Sequence, residues 1–233
     1  MKKWILFLST ILSLCSGVVR ADTPEDAVEA YNKGNYAQAI ELLRPLAAQG
    51  IADAQNNIGW LYEEGKGVTQ DYKEAVKWYR LAAEQGYAAA QNNLGFFYHV
   101  GKGVTQDYQE AVKWYRLAAE RGIANAQSNL GWMYDKGKGV TQDYQEAVKW
   151  YRLAAEQGYA AAQNNLGVMY VKGKGITQDH VRARMWFNFA ANKGDINAKE
   201  SRDRTAKEMK PSQIADAQKM TRDCEKKNYK NCE

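Results

Sequence analysis

The sequence predicts an all-α protein, a right-handed α-solenoid of antiparallel helix pairs. Of the 19 glycines, 17 recur with one spacing of 36 residues. They form four series, which begin at Gly50, Gly59, Gly65 and Gly67. A period of this length is typical of solenoids, in which each unit buries its apolar face only against its neighbours. No proline lies between Pro45 and Pro211, so helices can follow one another through the whole array.

Each repeat is predicted to hold two helices, helix A and helix B. In the first full repeat, helix A covers residues 52–64, because Ala54, Ile58 and Leu61 recur with a helical period. Gly65 is expected to end this helix, since glycine readily adopts the left-handed backbone of a helix C-terminus.

Helix B is predicted to begin at Asp71. The Asp71 carboxylate can accept hydrogen bonds from the first-turn N–H groups, and Glu74 stands three residues later, as in a capping box. Gly86 follows the last apolar position and is expected to end the helix.

The interior of the array is expected to form between stacked helices. Trp78, Tyr79 and Leu81 of helix B, with their equivalents 36 residues later, are predicted to fill it. Gly59 stands in the middle of helix A, where glycine costs about 1 kcal/mol relative to alanine. Because the same glycine recurs in four repeats, we expect helices A and B to approach closely there.

The pattern divides the chain into four parts. Residues 1–21 are predicted to be a secretory signal, 22–50 a degenerate first helix pair, 51–194 four repeats of 36 residues, and 195–233 capping helices and a tail with two cysteines.

The predicted signal has Lys2 and Lys3 before a mainly apolar stretch over 4–14, then small residues at 19–21. The stretch is too short to span a bilayer easily, so a membrane anchor is the weaker alternative. Lipid attachment at Cys15 is a second alternative, although Leu14 stands where a small residue is normally needed. We expect a periplasmic or secreted protein with no stable membrane insertion after signal cleavage.

The composition argues against nucleic acid as a partner. The formal net charge is +5, but three of the positive charges belong to the predicted signal, and the tail after residue 198 is basic. The repeats between them are nearly neutral, with both signs interspersed, which is unlike the basic face that binds phosphates.

Cys224 and Cys232 form an even pair that is suited to an oxidising compartment. A disulfide between them would close a small loop in the C-terminal cap. The alternative is a redox-active pair, which lacks the usual spacing of two intervening residues.

Catalytic and metal-binding patterns are missing from the sequence. His99 and His180 lie in different repeats without a histidine or cysteine at ligand spacing, and no nucleophile, zinc or phosphate-loop motif occurs. We therefore expect no enzyme activity, no metal and no cofactor. The loop lysines Lys66, Lys102, Lys138 and Lys174 are either a solubilising rim or a column for an acidic partner.

The repeated motif, AxAQxxLGxxYxxGxGVxxDxxxAxxWYxxAAEQG, resembles the Sel-one-like repeat (SLR) family, a branch of the tetratricopeptide repeats (TPR). Four copies span 52–194, and 24–50 is more similar to a degenerate TPR. The resemblance implies an SLR/TPR-like superhelix, with helix A on its concave surface, that acts as an adaptor for proteins or peptides. It implies one alternative, a binder or hydrolase of cell-wall fragments or β-lactams, because some cysteine-rich members have such ligands.

The candidate binding residues lie where the repeats differ. Helix B is nearly invariant, whereas helix A carries Trp60, Phe96 and Trp132 at one position, as candidate aromatic anchors for a partner. An asparagine ladder accompanies them and could bind an extended peptide backbone. Its members are Asn57, Asn93, Asn129 and Asn165. The alternative is that the aromatic side chains fill the core between repeats and the amides bridge adjacent helices.

Overall fold

The computed structural model describes residues 23–232, and within that range the chain forms twelve α-helices and no strand. The helices are α1 Pro24–Asn32, α2 Tyr36–Ala48, α3 Ala52–Glu64, α4 Tyr72–Glu84, α5 Ala88–Val100, α6 Tyr108–Glu120, α7 Ala124–Lys136, α8 Tyr144–Ala155, α9 Ala160–Lys172, α10 His180–Asn192, α11 Ile196–Ala206 and α12 Pro211–Glu225. The predicted secretory signal lies outside the described residues.

The helices form a solenoid of pairs, as the sequence predicts. Helices α3, α5, α7 and α9 are the helices A of repeats 1 to 4, and α4, α6, α8 and α10 are their helices B. From α1 to α11 each helix packs against the next one in the sequence, and α12 packs back onto α10. None of the described helices has the length and apolarity that a membrane crossing needs.

The helix ends follow the predicted signals with one difference. Gly65 ends α3 with a left-handed φ of 65°, and the Asp71 carboxylate accepts from the N–H groups of Lys73 and Glu74 at 2.8 and 3.1 Å. The capping box is not completed, because the Asp71 N–H donates to the Tyr62 carbonyl and the Glu74 carboxylate pairs with a lysine one turn later.

Close packing requires two of the glycine series. A Cβ at Gly59 would lie 2.9 Å from the Tyr79 ring, which confirms the predicted approach of helices A and B. Gly67 has a φ of 73°, and a Cβ there would lie 2.3 Å from the Tyr36 carbonyl carbon. Each loop between helices A and B therefore rests on the first turn of the preceding helix B.

The core consists of four clusters joined along the array. Tyr79, Tyr115 and Tyr151 are among its largest fully or almost fully buried side chains. Partly buried aromatic side chains of helices A, such as Trp60 and Trp132, pack against the clusters on both sides. The clusters therefore form a continuous interior.

The prediction that Leu81 belongs to the core is wrong. Leu81, Leu117 and Leu153 are 45%, 38% and 39% exposed and form an outer row on the helices B. Leu81 follows Tyr79 by two residues, or about 200° around the helix, so it points away from the face that packs.

The C-terminal cap covers the position that continues this outer row. Phe189 stands 36 residues after Leu153 and is buried, with the Tyr229 ring at 5.0 Å and an edge-on angle. Cys224 at the end of α12 and Cys232 in the tail form a disulfide that holds Tyr229 in the loop between them.

Candidate functional site

The A-face is the surface on helices α3, α5, α7 and α9 that carries the asparagine ladder and the aromatic positions. Contacts join these helices across successive repeats. The Asn93 side chain donates to the Asn56 side chain at 3.2 Å, and the His99 and Trp132 rings lie 5.0 Å apart. The A-face is therefore one surface that runs through four repeats.

The three aromatic candidates occupy the A-face with different exposure. Phe96 is 40% exposed, whereas Trp60 and Trp132 are half-buried between repeats. Trp60 meets the Tyr31 ring edge-on at 5.4 Å and has the Lys66 ammonium 4.4 Å above it. The two tryptophans thus contribute to packing between repeats as well as to the surface, and Phe96 presents the most apolar area to solvent.

The asparagine ladder keeps its register but not its partners. Asn57 is buried and donates to the Asp53 carboxylate at 3.3 Å, and Asn93 makes the bridge to Asn56. The side chains of Asn129 and Asn165 are half-buried and make no hydrogen bond within residues 23–232. The first two amides therefore act within the array, and the last two keep their hydrogen-bonding groups available.

The residue at one position of helix A, Glu63 in repeat 1 and His99 in repeat 2, contacts the buried tyrosine of helix B in the same repeat. The Tyr79 hydroxyl donates to the Glu63 carboxylate at 2.5 Å, and burial together with this carboxylate raises the pKa of Tyr79 well above its ordinary value. In repeat 2 the Tyr115 hydroxyl lies 3.4 Å from Nδ1 of His99, whose pKa is lowered by burial. The sequence alone does not reveal this contact, because Tyr115 stands 16 residues after His99.

The junctions between repeats alternate in chemistry. At the junction of repeats 1 and 2, the Tyr87 hydroxyl donates to the Asp53 carboxylate at 2.6 Å, and desolvation together with this hydrogen bond raises the pKa of Tyr87. At the junction of repeats 3 and 4, the Tyr159 hydroxyl donates to the Asn125 amide oxygen at 3.0 Å.

The intervening junction is apolar at these positions. Ile123 replaces the tyrosine and Ala89 replaces its acceptor where repeat 2 meets repeat 3. Repeats 1 and 3 thus have isoleucine just before helix A and a polar residue, Asp53 or Asn125, two positions later. Repeats 2 and 4 have tyrosine just before helix A and alanine two positions later. The array alternates with a period of two repeats.

The loop lysines are tied to the repeats. Their ammonium groups lie over the rings of tyrosines that begin the preceding helix B, at 4.5 to 5.2 Å from the ring centroids. The pairs are Lys66 with Tyr36, Lys102 with Tyr72, Lys138 with Tyr108 and Lys174 with Tyr144. These cation–π contacts make the lysines part of the packing between repeats.

Helix B has two pairs of opposite charges one turn apart, and only one of them forms an ion pair. Glu74 and Lys77 form one, but Arg80 does not bond Glu84 and instead donates to the Tyr98 hydroxyl at 2.6 Å. Arg116 repeats this contact with Tyr134 at 2.7 Å. The arginine therefore links a helix B to the following helix A.

A cavity of about 140 Å³ opens on the A-face between α7 and α9. Trp132, Asn165, Tyr151, Lys136 and Lys172 are among its lining residues, so it brings together two of the predicted site residues. A second cavity, of about 280 Å³, lies beside Tyr170 under the loop before α10 and contains none of them.

The titratable groups do not assemble into a metal centre in the described part of the chain. No group of three or more histidine, cysteine, aspartate or glutamate side chains is placed to hold a metal ion between residues 23 and 232. His99 packs among aromatic rings, and His180 lies 3.9 Å from the Glu208 carboxylate in the cap. The described cysteines lie in α12 and the tail, outside the repeats, so the likeness to cysteine-rich β-lactam binders does not extend to these repeats.

Comparison with known families gives a match over most of the chain. The Sel1 repeat model matches residues 26–51, 52–87, 88–123, 124–159 and 160–195. The match includes the shortened first pair, which the sequence reading placed closer to a degenerate TPR. No curated protein sequence matches the chain significantly.

Two solved structures are similar in sequence and in fold. A Sel1 repeat protein from Oxalobacter formigenes is 37% identical, with a TM-score of 0.70 over 84% of this chain and 85% of that one. A protective antigen of uropathogenic Escherichia coli strains, which displays an SLR fold, is 34% identical, with a TM-score of 0.79 over 88% of this chain. The matched part is 47% of the antigen, so this chain spans about half the length of that protein.

Proposed function

The chain belongs to the Sel1 repeat family, and from this premise we propose that it is an exported scaffold that binds a protein or peptide along the A-face. Sel1 repeats generally mediate interactions between proteins, and scaffolds of this kind are generally not enzymes. In this proposal the A-face is the concave side of the solenoid, and Trp60, Phe96 and Trp132 contact the partner.

One observation carries the assignment: apolar side chains are exposed on the surface where the repeats differ. Phe96 and Val100 are 40% and 36% exposed on α5. They are one helical turn apart and thus adjacent on the same face. Exposed aromatic side chains such as Phe96 are the kind of residue that anchors partners. A surface that changes from repeat to repeat can also distinguish one partner from another.

The outer leucine row is the competing surface. Leu81, Leu117 and Leu153 are as exposed as Phe96, but they are identical in three repeats and stand on α4, α6 and α8, whose sequences are nearly the same. Because the side chains of this row are identical, a partner would find the same contact in each repeat and could bind in several shifted positions. We therefore assign partner binding to the A-face.

Export is supported by two features. The sequence begins with the pattern of a secretory signal, and the cap contains the disulfide between Cys224 and Cys232. Structural disulfides persist in oxidising compartments and are rare in the cytosol. We propose the periplasm or the cell exterior as the location.

Site-specific photo-crosslinking in the native cell tests this function. A photoreactive amino acid replaces Val100 on the A-face in one variant and Leu117 in the outer row in a matched control, since the two are 36% and 38% exposed. We expect a discrete crosslinked partner from position 100 and none from position 117. The same adduct from both positions, or an adduct from position 117 alone, would contradict the assignment to the A-face.

A further inference from the structure

The A-face changes its charge from repeat 1 to repeat 4. The last turn of helix A carries Glu63 and Glu64 in repeat 1 but Val171 and Lys172 in repeat 4. The loop lysine is common to all four repeats, so it does not create this difference. One end of the A-face is therefore acidic and the other is basic.

At the acidic end, the exposed carboxylate is not neutralised by the array. Glu64 is exposed and has no cation within ion-pair distance among the described residues. The nearby Lys66 ammonium lies over the Tyr36 and Trp60 rings, at 5.0 and 4.4 Å. Glu63 accepts the Tyr79 hydroxyl and adds a second negative charge. This end is suited to a basic side chain.

At the basic end, the cavity between α7 and α9 is lined by three lysines, Lys136, Lys172 and Lys174, and by the carboxylate of Asp135. Lys136 is paired with Asp135 at 2.6 Å, but Lys172 has no carboxylate partner within residues 23–232. Asn165 adds an amide without a hydrogen bond, and the Trp132 side chain forms an apolar wall. The volume of about 140 Å³ is roughly ten times the space that one water needs. The cavity can therefore accept a side-chain carboxylate.

Between these ends, repeat 2 is uncharged at the same positions. Phe96 and Val100 are exposed there, and His99, whose pKa is lowered by burial, is neutral near pH 7. This middle section is suited to an apolar side chain.

We propose that the partner presents an extended segment with a basic side chain at Glu64, an apolar side chain at Phe96, and a carboxylate in the cavity at Lys172. This inference rests on the proposed function and adds the chemistry of the partner. These residues lie on the helices A of repeats 1, 2 and 4, so an extended segment that follows the A-face meets them in the order basic, apolar, acidic.

Selection from a random dodecapeptide display library tests the proposal on the protein without its signal. We expect enriched peptides to have a lysine or arginine towards one end and an aspartate or glutamate towards the other, with an apolar residue between them. Lys172→Glu is expected to weaken the best such peptide at least about tenfold, because it places a carboxylate beside the acidic residue of the peptide. Exchange of that acidic residue for lysine is expected to restore binding to Lys172→Glu.

Lys113→Glu is the matched control, since Lys113 is 58% exposed on α6, outside the A-face. An equal loss of peptide affinity in both protein variants, or enriched peptides without the basic and acidic residues, overturns the proposed order of side chains in the partner. If no peptide is enriched while position 100 still crosslinks a partner in the cell, the proposed order of side chains is wrong and the proposed function remains. If position 100 captures nothing either, both proposals fail.

Discussion

Helices A and helices B of the same repeats differ in how their residues act. Tyr79, Tyr115 and Tyr151 occupy one position of helix B and are buried against the same glycine of helix A in each repeat. The residues of the A-face change, and so do their partners, even where the asparagine itself is constant. The helix B tyrosine therefore packs in the same way in these repeats, whereas residues on the A-face make contacts that differ from one repeat to the next.

This difference separates scaffold from surface within a repetitive molecule. Loss of the helix B tyrosine should have similar consequences in these repeats, because the glycine that its ring packs against is copied even though the group that its hydroxyl meets is not. A change at an A-face position should have consequences that depend on the repeat. Three predictions test the distinction, in order of decreasing effect.

The largest effect is expected from Tyr115→Ala. The tyrosine is fully buried, and its loss leaves a cavity beside Gly95, so the free energy of unfolding should fall by about 3–5 kcal/mol. Phe96→Ala, on the exposed face of the adjoining helix, should change it by no more than about 1 kcal/mol. Urea unfolding of both variants measures the difference. Comparable losses would show that Phe96 belongs to the scaffold.

A smaller effect is expected at the junctions, and it should differ between two equivalent tyrosines. Tyr87→Phe removes a hydrogen bond to a carboxylate and should lower the free energy of unfolding by about 1.5 kcal/mol, whereas Tyr159→Phe removes one to a neutral amide and should cost about 0.5–1 kcal/mol. Unfolding midpoints at unchanged m-value give the comparison. Equal costs would mean that the acceptor, Asp53 or Asn125, makes no difference to the junction.

The smallest effect is expected from the single A-face histidine, which is present in repeat 2 alone. Burial lowers the pKa of His99, so the unfolded chain binds the proton more tightly and the folded protein loses stability as the pH falls below 6.5. His99→Gln should reduce the difference in unfolding midpoint between about pH 7.5 and about pH 5. The wild-type protein serves as the reference. An unchanged difference would show that other groups cause the pH dependence.

The sequence predicted the scaffold well because its signals are local. Gly65 and Asp71 mark helix ends through the conformation and hydrogen bonds of the neighbouring backbone. Gly59 indicated a close approach, since a repeated mid-helix glycine is otherwise unfavourable. The identity of its neighbour, Tyr79, came from the structure, because it depends on how two helices are rotated against each other.

The errors and omissions arose where the outcome depends on how whole helices pack. Arg80 has a suitable glutamate four residues later, yet it bonds the Tyr98 hydroxyl of the next repeat. Leu81 has the composition of a core residue, but the rotation of helix B places it outside. The cavity at Trp132 and Asn165 is likewise formed by two repeats together, so no single repeat of the sequence reveals it.

The alternating junctions limit how the array can change in length. Duplicating repeat 1 or repeat 3 alone would place Asp53 or Asn125 opposite an isoleucine. Duplicating repeat 2 or repeat 4 alone would leave the Tyr87 or Tyr159 hydroxyl opposite an alanine. Duplicating two adjacent repeats reproduces only junctions that already exist. Viable descendants of this chain should therefore gain or lose repeats in pairs, and an engineer who wants a longer A-face should add 72 residues at a time.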